Sequence, residues 1–162
     1  MAQKLEVGSK APDFTLADQN GVPVKLSEET AKNIVVLFFY PKDNSGGCTM
    51  EACAFRDSYE DFQDAGAEVI GISSGTLEDK QKFIRKNRLP FTLLNDADGS
   101  IERMYGIESG FLGLKMGRIT YVIDRSGVIQ HKFESRINMG AHASEALEIV
   151  KALAQKHATE TR

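Results

Sequence analysis

Cys48 and Cys53 are the chain's two cysteines, five positions apart in Pro41-Lys-Asp-Asn-Ser45-Gly-Gly-Cys48-Thr-Met-Glu51-Ala-Cys53. The segment follows the apolar run Ile34-Val35-Val36-Leu37-Phe38-Phe39-Tyr40. A buried strand therefore ends at a proline, and a short glycine-containing loop delivers Cys48 to the first turn of a helix. Thiols react as thiolates, and the unpaired N–H groups and partial positive charge of a helix N-terminus favour that anion. The chemistry on offer is nucleophilic attack by sulfur, with a second thiol close by. In a reducing compartment, neighbouring cysteines serve redox or metal chemistry more often than structure. Zinc needs about four ligands at short spacings. His131, His142 and His157 are scattered along the chain, so no metal is expected. They read as solvated or structural residues.

The flanking elements must position these thiols. Ala11-Pro12-Asp13-Phe14-Thr15-Leu16, then Gln19-Asn20-Gly21 and Val22-Pro23-Val24-Lys25-Leu26, read as an N-terminal β-hairpin with an Asn-Gly turn. Ser27–Thr30 suits a short helical turn, and the run from Ile34 to Tyr40 suits a central strand buried on both faces. From Thr49, the residues Ala52, Phe55, Tyr59 and Phe62 recur at helical spacing, with Gly66 placed to cap. Glu68–Ile72 is a second strand. Thr76 with Asp79 marks a helix start, and Leu77, Lys80, Phe83 and Ile84 carry that helix until Pro90. Phe91–Leu94 is strand-like, Asp96–Gly99 a turn, and Ser100–Tyr105 a small helix. Ile119–Ile123 and Val128–Phe133 form a hairpin across Asp124–Gly127. Leu147, Val150, Leu153 and Ala154 line a last helix. The early β-α-β-α succession calls for parallel strands and the late hairpin for antiparallel ones. The expected fold is therefore α/β, with a mixed central sheet, helices on both faces and an N-terminal β-hairpin. A thioredoxin-like sandwich is its simplest form, and a flavodoxin-like layout would have to explain the late hairpin away.

One domain over residues 1–162 is expected, since this length buries a core without staples. Net charge is −3, from 20 basic and 23 acidic residues spread along the chain, which argues against nucleic acid or an anionic membrane surface as a partner. No apolar run is long enough to span a bilayer. The N-terminal residues lack the apolar core of a secretory signal. A cytoplasmic protein is expected, and an organelle protein freed of its transit peptide would look the same.

The pattern Pro41-x-x-x-Ser45-x-x-Cys48 resembles the active-site signature of the peroxiredoxins. The fuller segment, Phe39-Tyr40-Pro41-Lys42 through Gly47-Cys48-Thr49-x-Glu51-Ala52-Cys53-x-Phe55-Arg56-Asp57, is similar to the peroxiredoxin Q, or bacterioferritin-comigratory, branch. The likeness continues through Val69–Ser73, Leu89-Pro90-Phe91, Asp96-x-Asp98-Gly99 and Gly117-Arg118-x-Thr120-Tyr121-Val122-Ile123-Asp124. It departs at Ser45-Gly46, where the branch usually has Thr-Pro; the hydroxyl is kept, and a β-branched residue and a rigid proline are lost.

The resemblance implies a thioredoxin-like fold and a thiol-dependent peroxidase acting on hydrogen peroxide and organic hydroperoxides. It implies Cys48 as the peroxidatic and Cys53 as the resolving cysteine, joined as an intramolecular disulfide and recycled by thioredoxin or a similar dithiol. Ser45 would hydrogen-bond the thiolate and peroxide, Arg118 would set a guanidinium against both, Pro41 would shield the sulfur from water, and Glu51 would orient the arginine. No haem, flavin or metal is implied, and a monomer is expected. Taken alone, Arg118 would read as a surface arginine and Glu51 as a first-turn carboxylate complementing the helix dipole. The roles suit the chemistry: breaking an O–O bond needs a nucleophile and donors for the leaving oxygen, and a second thiol converts the sulfenic product to a disulfide before irreversible oxidation.

Spacing adds a constraint. Five helical positions separate Cα atoms by roughly 8.6 Å and rotate them about 140°, whereas a disulfide tolerates at most ~7 Å. Two cysteines on one intact helix therefore cannot bond until it unwinds. Two rivals remain at this point. A thioredoxin-type disulfide oxidoreductase would use Cys-x-x-Cys, and would reduce insulin rather than consume peroxide. A redox-sensing or chaperone-like module would oxidise without multiple turnovers. The stretch Phe111, Leu112, Leu114 and Met116 suits either a loop over the active site or a partner contact.

Overall fold

The computed structural model describes residues 5–41, 43, 46–107, 118–134 and 138–160. Ser45, Gly117 and the apolar stretch Phe111–Met116 lie outside the described residues.

Strand β3 (Ile34–Phe39) is the axis of the molecule, and each of its six residues is buried. Its side chains alternate between two cores, as a pleated strand requires. Ile34, Val36 and Phe38 face one core; Val35, Leu37 and Phe39 face the other. Strand β4 (Ala67–Ser73) pairs with β3 in parallel, and β5 (Thr92–Asn95) with β4 in parallel. On the opposite side of β3, β6 (Ile119–Ile123) runs antiparallel, and β7 (Ile129–Glu134) follows it. The N-terminal hairpin, β1 (Thr15–Asp18) and β2 (Pro23–Lys25), pairs with β5 and completes a seven-stranded mixed sheet ordered β2-β1-β5-β4-β3-β6-β7.

Helices cover both faces, as expected. One carries α2 (Gly46–Asp57), α3 (Tyr59–Asp64), α4 (Leu77–Asn87) and α6 (Met139–Glu160), which bury Ala52, Phe55, Phe62, Phe83, Ala146 and Val150 together. The other carries α1 (Leu26–Thr30) and α5 (Ser100–Met104), with Leu26 and Tyr105 in that core. The crossovers from β3 to β4 and from β4 to β5 lie on one face, as same-handed connections stepping in one direction must.

Several expectations shift in detail. The Asn-Gly turn of the first hairpin is a three-residue loop, with Asp18 N–H donating to Val22 O at 2.9 Å and Gly21 N–H to Asp18 O at 3.0 Å. The long helix expected from Thr49 to Gly66 is two helices. Ser58 leaves helical geometry at φ −104° and ψ 4°, and its N–H bonds back only three residues, to Phe55 O. Gly66 does follow the second piece, at φ 81°. Helix α4 ends before Pro90 can act, because Arg88 turns left-handed at φ 52°. The last helix buries Ala143, Ala146 and Val150, while Leu147 and Leu153 are only half-buried at the edge of that face.

Gly71 shows how the central packing is made. A Cβ there would lie 2.7 Å from both Phe38 Cζ and Leu93 Cδ2. The bare backbone lets the Phe38 ring lie over β4 and stack on Phe55 at 4.5 Å and 16°. Such a pair adds about 0.5–1.5 kcal/mol beyond its buried area, and it fixes α2 on the sheet.

Candidate active site

Helix α2 starts at Gly46, so Cys48 is its third residue, just beyond the C-terminal end of β3. Ligands of open α/β sheets gather at that edge, beyond the carboxyl ends of parallel strands. Cys48 is 1% exposed. The antiparallel register pairs Phe39 with Ile119 and Phe38 with Thr120. One step further, Arg118 sits across from Tyr40. Paired residues point to the same face, so Arg118 and Thr120 project toward α2 alongside Phe38 and Tyr40.

The result is a buried chain of polar contacts. Arg118 Nη2 donates to Cys48 Sγ at 3.3 Å, and Nη1 donates to Glu51 Oε1 at 3.0 Å. Cys48 and Glu51 are three apart on one helix, the spacing that puts two side chains on one face. A single guanidinium thus bridges the sulfur and the carboxyl. Charge-assisted bonds of this kind are about twice as strong as neutral ones. Glu51 is fully buried, and burial lifts its carboxyl to about 8 although the Arg118 charge and hydrogen bond pull it down. Burial thus works to keep a proton on Glu51, against the Arg118 charge that favours the carboxylate.

Two further side chains complete the site, neither given a role from the sequence. His142, from α6, is fully buried; its Nδ1 lies 2.7 Å from Thr120 Oγ1 and 3.3 Å from Glu51 Oε2. Of the three histidines read as solvated or structural, His142 is not a solvated one: it is buried, with Thr120 and Glu51 beside it. Thr120 had a signal, being two residues from Arg118 on a strand. His142 had none, because its partners come together only in the folded chain.

Cys53 lies on the same helix, half-buried and turned toward α4, with Sγ 3.9 Å from Asn87 Oδ1. Arg56 ties the same ends together by donating to Asn87 O at 2.8 Å. Both cysteines are free thiols and both are helical, so the geometric bar to a disulfide applies. Pro41 is half-buried at the exit of β3. Between Pro41 and α2, Asp43 is held at both carboxylate oxygens. Tyr40 Oη donates to Asp43 Oδ1 at 2.6 Å, and the fully buried Lys80 donates to Asp43 Oδ2 at 3.0 Å, Ser73 Oγ at 2.9 Å and Ser74 O at 3.2 Å. Three ammonium protons thus meet three acceptors. Burial and the Asp43 charge hold the Tyr40 phenol well above its usual range. Among the described residues no cluster of three His, Cys, Asp or Glu could hold a metal, and no helix is long and apolar enough to cross a membrane.

Residues 7–132 match the AhpC/TSA family. Peroxiredoxin Q, chloroplastic, from Sedum lineare is 45% identical over 150 residues, covering 93% of this chain and 80% of that one. Its counterpart from Arabidopsis thaliana is 46% identical over 149 residues, covering 92% and 68%. Among solved structures, peroxidoxin BcpB from Mycobacterium tuberculosis superposes with a TM-score of 0.86 at 38% identity, over 92% of this chain and 98% of that one. Peroxiredoxin Q from Xanthomonas campestris gives 0.80 at 27%, over 93% and 97%. These matches extend over most of the chain and agree with its thioredoxin-like fold, and the chain belongs to the AhpC/TSA family as a peroxiredoxin of the Q branch, a thiol-dependent peroxidase acting on hydroperoxides.

Proposed function

We propose that Cys48 is the peroxidatic sulfur, activated by Arg118, and that Cys53 resolves it. The observation that carries this reading is the Arg118 guanidinium set 3.3 Å from Cys48 Sγ and 3.0 Å from Glu51 Oε1. The Cys48 thiolate attacks the terminal oxygen of ROOH; the S–O bond forms, the O–O bond breaks, and RO⁻ leaves to take up a proton as ROH. Arg118 supplies donors for the charge growing on the departing oxygen. Glu51 holds the guanidinium in line, Ser45 adds a hydroxyl donor, and Pro41 keeps water from the sulfur. Cys53–SH then condenses with Cys48–SOH, forming the disulfide and releasing water. Thioredoxin or a similar dithiol takes the disulfide back to two thiols and is itself oxidised. Because α2 holds both cysteines, its first turns unwind between attack and resolution.

The remaining assignments follow. The chain acts as one domain over 1–162, supported by the single seven-stranded sheet that runs from the N-terminal hairpin to β7. It acts as a monomer, the state that the resemblance to the Q branch implies. Its compartment keeps thiols reduced: cytoplasm, or an organelle such as that of the chloroplastic relatives.

Steady-state peroxide consumption with thioredoxin, thioredoxin reductase and NADPH tests the cycle. Cys48→Ser should abolish it, whereas Cys53→Ser should react once and then accumulate sulfenic and sulfinic Cys48. Turnover by Cys48→Ser at a tenth of the parent rate would move the nucleophile to Cys53.

A further inference from the structure

We propose that His142, with Thr120, is a positioning residue for peroxide attack: it keeps a proton on the side of Glu51 turned away from Arg118, so that the one guanidinium serves the Cys48 thiolate alone. This rests on Cys48 being the nucleophile.

Arg118 touches two acidic groups, Cys48 and Glu51, each essentially buried. If both were anions, one guanidinium would face two negative charges where neither can be solvated, a costly arrangement. The cluster is neutral when Cys48 is the anion and Glu51 keeps a proton. Geometry says where that proton sits. Oε1 is taken, accepting from Arg118 Nη1. Oε2 is buried, makes no hydrogen bond among the described residues, and lies 3.3 Å from His142 Nδ1. A proton held on this pair serves an otherwise orphaned oxygen, either as a carboxylic acid on Oε2 or as an imidazolium whose Nδ1–H is shared between Thr120 Oγ1 and Oε2. Net charge is the same either way. The Thr120 hydroxyl, 2.7 Å from Nδ1, fixes the ring in its plane, and the Phe133 ring closes on it edge-to-face at 4.7 Å.

Charged and titratable groups come to this point from each packed element. Helix α2 brings Cys48 and Glu51, and the entry to β6 brings Arg118. On β7 and the next turn of α6, His131 and Glu145 lie 3.5 Å from each other and are both partly exposed, so they pair away from this buried point. The elevated carboxyl of Glu51, at about 8, agrees with a proton retained at neutral pH. Above that pH the carboxylate competes with the thiolate for Arg118, so peroxide attack should slow on the alkaline side.

Two measurements on the full-length reduced protein test this. The first is the pH profile of single-turnover oxidation of Cys48 by hydrogen peroxide, read by mass spectrometry. The parent should show an alkaline fall centred near pH 8. If the His142 side chain rather than burial alone holds the proton, His142→Leu should displace that fall by about one pH unit, a roughly tenfold change in the hold on the proton, while His142→Gln, which keeps a polar partner, should stay nearer the parent. In Glu51→Gln the alkaline fall should vanish. The second is infrared difference spectroscopy of parent against Glu51→Gln at neutral pH, which should show either the carbonyl stretch of a protonated carboxyl or the ring bands of an imidazolium, altered in His142→Gln. An alkaline fall unmoved in both His142 variants, or one that persists in Glu51→Gln, overturns the proposal. So does an infrared difference showing only ionised carboxylate with neutral imidazole. If His142→Leu does not fold, His142→Gln and the infrared measurement decide. Should the sulfur oxidised in the parent be Cys53, the nucleophile assignment has failed, and the infrared result still reports the proton separately.

Discussion

Glu51 is the residue whose ionisation the fold most resists, and that resistance has a thermodynamic signature. Its folded value of about 8 lies above the ordinary 4.5, so between those limits the native chain holds a proton that the unfolded chain has lost. Stability must therefore decline as pH rises through that window. Glu51→Gln has no such proton. Urea unfolding of the two proteins at successive pH values should show the variant gaining on the parent from about pH 5 to about pH 8. Parallel curves would mean that Glu51 is a carboxylate throughout. At this scale Cys48 was legible from its place after a buried strand. Arg118 was legible only through the family motif, because nothing in an isolated arginine says that a strand register will carry it to a sulfur 70 positions away. Ser45 lies outside the described residues, and its role remains with the proposal.

Helices and strands were more legible in kind than in extent. The alternation of β3 and the helical spacing of Phe55 and Phe62 are strong periodic signals, and they placed the elements correctly. The break at Ser58 was invisible because the apolar spacing runs on across it; what changes is one backbone angle pair. The stop at Arg88 was likewise masked by the more obvious Pro90. Lys80 was correctly placed on the apolar stripe of its helix, but the stripe could not reveal that Asp43, 37 residues away, waits under it. The start of α2 offers a direct experiment. Gly46 is its first residue, a Cβ there meets nothing within 4 Å, and proline suits the first helical position. Gly46→Pro should stabilise the reduced protein by about 0.4–1 kcal/mol and slow the opening of the first turn. Hydrogen exchange of the Thr49–Phe55 amides should report it, with parent protection lost on oxidation and retained longer in the variant. Equal protection in reduced and oxidised parent would mean that α2 does not open and that Cys53 is not the resolving thiol.

Across the whole molecule, the sheet collects groups from distant stretches of chain at the exit of β3. The mixed topology followed from the order of elements, whereas the pairing of the first hairpin with β5 did not, since no local signal chooses a strand's distant edge. The Lys80–Asp43 pair ties α4 to the segment leading into the site, and both side chains are nearly inaccessible. Lys80→Met should cost about 3–5 kcal/mol in urea unfolding, because it strands a buried carboxylate. Adding Asp43→Asn, which still accepts from Tyr40, should recover most of that loss; no recovery would show that the ion pair is not the anchor. The stack of Phe55 on Phe38, meanwhile, reaches into electrochemistry. On the proposed Cys48–Cys53 bond, the free energy that keeps α2 wound is subtracted from the stability of the oxidised form. For a two-electron couple about 1.4 kcal/mol corresponds to roughly 30 mV. Better packing of this one helix therefore raises the reduction potential of the thiol pair, and the hydrophobic core sets the voltage at which a dithiol can recycle the enzyme.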